Sequence, residues 1–161
     1  MRDESQIIQQ ITDAFAGVEQ PSREALYNGH CCECAETSEA YAGKRWMEVT
    51  LEDVLRGREI ALLSAAAWRY YLPAFLIWAI REPKAVDVLQ DNLVYQLQPP
   101  GEGGSVPEWF AERAVGFTEP QRHAICAYLT WYRDRDEIEW RRIGGEPPRH
   151  VYYALAHWSR P

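Results

Sequence analysis

Ser64-Ala65-Ala66-Ala67-Trp68-Arg69-Tyr70-Tyr71-Leu72-Pro73-Ala74-Phe75-Leu76-Ile77-Trp78-Ala79-Ile80-Arg81 is the stretch on which the fold turns. Its apolar residues show no polar face at helical spacing, so a helix over 65–81 belongs at the centre of a packed domain with neighbours on every side. Ser64 suits the N-cap. Pro73 removes one backbone hydrogen bond and either kinks the helix or divides it in two. The wider run from Ile60 to Ile80 has the length of a membrane span. Arg69 near its middle, with Ser64 and Pro73, argues against that, because an intramembrane arginine costs several kcal/mol and has no evident partner here. A buried core helix is the reading.

The flanking sequence is helical too. Ile7, Ile8, Ile11 and Phe15 share one side of a first helix, with Ser5 as its N-cap and Gly17 as its stop. A short piece from Ser22 ends at the turn-prone pair Asn28-Gly29, and Glu33 to Ala42 is helix-compatible up to Gly43. Thr50 with Asp53 forms a capping box for a short helix that Gly57 ends. Val86, Leu89, Leu93 and Leu97 repeat at helical spacing, and the Pro99 to Ser105 stretch is the clearest loop. Pro107 suits the first turn of a helix to Val115. Thr118-Glu119-Pro120-Gln121 is a capping box that opens a helix reaching Arg142, and Val151, Ala154, Leu155 and Trp158 define a last amphipathic one. No set of alternating strands is present. The expected fold is all-α, a single multi-helix domain over 1–161 around the central Pro73 helix.

At 161 residues with 47% hydrophobic content, seven Trp, nine Tyr and four Phe, the chain has enough apolar surface for a packed core. A net charge of -7 and a pI near 5.1 oppose nucleic acid and anionic lipid, which both require clustered positive charge. Neither nucleic acid nor membrane is expected as a partner. The N-terminal residues lack the apolar core of a signal peptide, so a cytoplasmic location is expected. In that reducing compartment the four cysteines read as thiols or metal ligands rather than disulfides.

His30-Cys31-Cys32-Glu33-Cys34 is the densest group of ligand-type residues. Zinc takes thiolates and imidazoles in a tetrahedron, and Cys31 and Cys34 at a turn supply half of one. His123 and Cys126, three apart on a predicted helix, project from the same side and supply the other half. A structural zinc centre of Cys31, Cys34, His123 and Cys126 is therefore one candidate; the bland reading is that Cys126 is a small core residue and that the others sit at a surface turn. A thiolate beside His30 is a weaker, catalytic option. The usual enzyme signatures, Gly-x-Ser-x-Gly, His-Glu-x-x-His and a phosphate loop, are absent, and no enzyme is expected. Asp134-Arg135-Asp136-Glu137 reads as a solvated helix face with local ion pairs. His150 and His157 read as surface or packing residues.

Most of the tryptophans are core by their spacing, but Trp140 and Trp158 stand in more polar settings, and Trp with Arg is the composition of binding hot spots. The chain resembles a group of small bacterial proteins of unknown function through Ala14 to Val18, the Cys-Glu-Cys segment Cys32 to Cys34, Tyr70 to Ala74, and Phe117-Thr118 with Gln121. That resemblance implies a fold and a bacterial origin, and carries no catalytic residues. Small, acidic, Trp-rich bacterial domains without an enzyme motif include many immunity proteins, which occlude a toxin. On that reading Glu36, Glu39, Glu48 and Glu52 meet a basic toxin groove, Trp140 and Trp158 anchor the contact, and no cofactor is needed. The alternative is a zinc-binding or thiol-based protein.

Overall fold

A computed structural model describes residues 3–27, 32–99, 106–146 and 149–160. Among these the fold is all-α: α1 (Glu4–Phe15), α2 (Cys32–Tyr41), α3 (Leu51–Arg56), α4 (Ala65–Arg81), α5 (Asp87–Leu97), α6 (Glu108–Ala114), α7 (Glu119–Ile143) and α8 (His150–Trp158). Short 3-10 turns at Arg23–Ala25, Trp46–Glu48 and Ile60–Leu62 join some of them. The only extended pairing among the described residues is an isolated bridge between Tyr27 and Leu63. The chain divides into two compact units, Ala16–Leu93 and the discontinuous pair Met1–Phe15 with Val94–Pro161.

In the Ala16–Leu93 unit α4 is the core element. It runs through Pro73 as one helix of 17 residues, of which twelve are buried. At about 1.5–3 kcal/mol for each large apolar side chain taken from water, α4 dominates what holds this unit together. Its start is fixed as the sequence predicts, with Ser64 Oγ accepting from the Ala67 N–H at 3.0 Å. The same hydroxyl donates to the Ala25 carbonyl at 2.5 Å, so the cap also ties down the first 3-10 turn. Tyr71 places its hydroxyl 2.8 Å from the Tyr41 carbonyl and 2.9 Å from that of Lys44. Tyr41 lies against Tyr71 (5.1 Å between centroids) and edge-on to Phe75, and donates to the Gly57 carbonyl at 2.7 Å. Burial, its largest cause, pushes the Tyr71 phenol up to about 12 and raises that of Tyr41 as well, so both remain hydrogen-bond donors at neutral pH. The predicted Thr50–Asp53 capping box is present, and Lys44 forms an ion pair with the same Asp53.

In the other unit α1 and α8 both pack on α7. Ile7, Ile11 and Phe15 form the buried stripe of α1. Its start departs from the expected one: Ser5 lies inside the helix, and its N–H is taken by the Asp3 carboxylate at 3.0 Å. Aspartate caps as well as serine does, and its charge also favours a helix N-terminus. Pro107 likewise stands one residue before the helix it was expected to open. α7 is a single helix of 25 residues, opened by the Thr118–Gln121 box and closed by Gly144 in the left-handed region at φ 75°. No helix among the described residues is long and apolar enough to cross a membrane.

Candidate functional site

The zinc centre read from the sequence rests partly on Cys31, which with His30 lies outside the described residues. Cys34 is buried in the first turn of α2 and is disulfide-bonded, where thiols or metal ligands were expected. Its sulfur would have to be reduced before it could bind a metal as thiolate. Cys32, the first residue of α2, is an exposed thiol. In the other unit His123 is exposed on α7, and Cys126 is a half-buried thiol with Sγ 3.6 Å from the Ser159 hydroxyl. Among the described residues no three His, Cys, Asp or Glu side chains come together as a metal ion would require.

The four glutamates expected at a partner surface are all exposed and all belong to the Ala16–Leu93 unit. Glu39 on α2 pairs with Arg23 at 2.5 Å. Glu48 closes a turn with Arg45, accepting from its backbone N–H at 3.0 Å and from its guanidinium at 2.7 Å; that hydrogen bond from Arg45 is the main reason its carboxyl lies below the usual range. Glu36 and Glu52 have no side-chain partner among the described residues. Along 46–56 the chain sorts cleanly. Trp46, Val49, Asp53 and Val54 are buried, whereas Met47, Glu48, Glu52 and Leu55 face solvent. Met47 is 53% and Leu55 42% exposed, two apolar side chains on a stretch that also exposes Glu48, Glu52 and Arg56.

The two tryptophans part company. Trp140 is half-buried near the end of α7, its ring against Gly145, where an added Cβ would come within 2.5 Å of it. Trp158, expected as a surface anchor, is 1% exposed and serves as core. Its indole has a better partner inside, donating to the Leu97 carbonyl at 2.7 Å.

Close to Trp140 in sequence, Glu146, Arg149, Tyr152 and Tyr153 line an open depression of about 340 Å³. Tyr152 is held in place by a 2.5 Å hydrogen bond from its hydroxyl to Glu137, which raises its phenol. Glu137 accepts also from Arg141 at 3.0 Å, and Arg133 pairs with Asp134 at 2.6 Å. The charged run of α7 is thus the ion-paired face its sequence predicts. The depression itself was not legible, since its lining from Glu146 to Tyr153 carries no motif that marks a concave surface. A second feature missed by the sequence reading is Arg113, buried on α6, donating to Gln96 and lying 5.7 Å from the Trp109 ring. Burial brings its guanidinium down to about 10.

One family model matches residues 3–143, and its description is "Family of unknown function (DUF6714)". No curated protein and no solved structure matches the chain.

Proposed function

The chain belongs to that family of unknown function, DUF6714, and from this premise we propose that it is a protein-binding domain, an immunity-type inhibitor that covers the active site of a bacterial toxin. The observation that carries the reading is the outward side of 46–56, where Met47 and Leu55 stand exposed along with Glu48 and Glu52. Apolar side chains supply the desolvated centre of a contact, and carboxylates around them steer a basic partner and penalise an acidic one. Glu36 and Glu52 give up no ion pair with the described residues on binding, so they are the carboxylates best suited to a partner's lysines and arginines. The overall charge of -7 acts in the same direction.

The test is protection. The protein encoded beside this chain is expressed in a sensitive host with and without it, and binding of the purified pair is followed by calorimetry. Protection and a saturable complex are expected, both weakened at least tenfold by Leu55→Asp with Glu52→Lys while the helical circular dichroism is kept. A wild-type chain that neither protects nor binds overturns the reading.

A thiol-based function is a second reading, favoured by the Cys34 disulfide two residues from the exposed Cys32 thiol. Two equivalents of a small thiol would reduce such a bond, giving two cysteine thiols and one external disulfide. Reduction at the potential of a glutathione buffer supports this reading, and resistance to it argues for a purely structural bond.

A further inference from the structure

The depression at the start of α8 combines groups that are already engaged with groups that are not. α7 closes at Gly144, and the Gly145 N–H returns to the Trp140 carbonyl at 3.0 Å. The Trp140 ring stands where a Cβ on Gly145 would have to go, so the chain leaves α7 close against that ring and brings Glu146 to the lining. On α8 the stripe Val151, Ala154 and Trp158 is buried, which leaves Tyr152 and Tyr153 beside the depression. The Tyr152 hydroxyl is engaged by Glu137, which Arg141 also holds, so that ring is fixed before anything binds. Three lining groups are left over. Glu146, Arg149 and the Tyr153 hydroxyl have no partner among the described residues, and the carboxylate and the guanidinium do not pair with each other. Two opposite charges therefore line one hollow without meeting, in company with two phenol rings.

We propose that this depression is a binding site for a small aromatic zwitterion, a free aromatic α-amino acid. Arg149 takes the carboxylate, Glu146 takes the ammonium, and the ligand ring lies against Tyr152 and Tyr153. Arg149 is also the N-cap residue of α8, where no side chain caps the helix, so the helix dipole adds to its attraction for an anion. A ligand with a single charge would leave the opposite lining charge unanswered. A purely apolar one would take both charges out of water with no return. The volume of about 340 Å³ lies at the small end of ligand sites, which suits an amino acid better than anything larger.

Titration of the full chain with phenylalanine, followed by calorimetry at neutral pH and low salt, is the test. Saturable binding with a Kd of about 1 mM or below is expected for so small a ligand. N-acetylphenylalanine lacks the ammonium and phenylalanine amide lacks the carboxylate, and each should bind about tenfold more weakly. Arg149→Glu and Glu146→Lys replace an attraction by a repulsion, and each should weaken phenylalanine by about tenfold or more while the helical circular dichroism is kept. Absence of saturable heat up to about 20 mM phenylalanine overturns the site. Equal affinities of the wild-type chain for the three compounds overturn the pairing of the two charges, however the variants behave.

Discussion

Trp158 donates its indole N–H to the carbonyl of Leu97 across 61 residues of sequence, so the last helix of the chain closes the end of α5. Removing that side chain should cost more than any surface change. Trp158→Ala leaves a cavity and an unsatisfied carbonyl, and a loss of about 3–5 kcal/mol is expected by urea denaturation. Trp158→Phe keeps much of the volume and gives up the hydrogen bond, so its loss should be clearly smaller. Equal losses for the two would show that the hydrogen bond to Leu97, and not the volume of the ring, carries the stability.

Gly57 is close to the Tyr41 ring, and a Cβ built there would lie 2.6 Å from it. Gly57→Ala therefore forces Tyr41 out of its contact with Tyr71 and should destabilise by about 1–3 kcal/mol, the usual cost of overpacking. Gly17 has nothing within 4 Å of such a Cβ. Gly17→Ala is expected to be neutral or slightly stabilising. Thermal unfolding of the two variants side by side checks both.

His157 is half-buried, and burial followed by the charges of Arg122 and Arg160 holds its imidazolium pKa below the ordinary value. The folded state therefore binds this proton less well than the unfolded one. Its contribution to stability is complete above the unfolded value of about 6.5, and declines as the pH falls below it toward the folded value. The denaturation midpoint of the wild-type chain should fall from pH 7.5 to pH 5 by more than that of His157→Gln. Parallel pH profiles would remove His157 as the cause.

Cysteine reactivity separates the thiol and metal readings. In the denatured, unreduced chain Cys32 and Cys126 should react with a thiol reagent at once, and Cys34 only after reduction. Elemental mass spectrometry on chain purified without added metal should find well below one zinc per chain. A stoichiometric zinc lost in Cys34→Ala would reverse this and restore the centre drawn from Cys31, Cys34, His123 and Cys126.

Local signals carried most of the fold. The unbroken apolar run of α4, the Thr50 and Thr118 capping boxes and Gly144 after α7 each act within a few residues, and each element stands where its signal lies. Exposure of Glu36, Glu39, Glu48 and Glu52 was legible for the same reason, since short charged side chains seldom leave water. What failed depended on distant partners. The polar neighbours of Trp158 hid its burial, which needs Leu97 and Phe117. Nor does any sequence signal mark the division at Leu93 and Val94, which falls inside α5.

The discontinuous unit has an implication for the order of events on the ribosome. α1 is made well before α7, and the indole that meets its Glu4 belongs to Trp131, 127 residues later. At roughly 5–20 residues per second, α1 waits on the order of ten seconds for α7, with Ile7, Ile11 and Phe15 uncovered. The contiguous Ala16–Leu93 unit has all of its own sequence by then. Between the synthesis of α1 and that of α7 the nascent chain thus carries an uncovered apolar stripe suited to a chaperone.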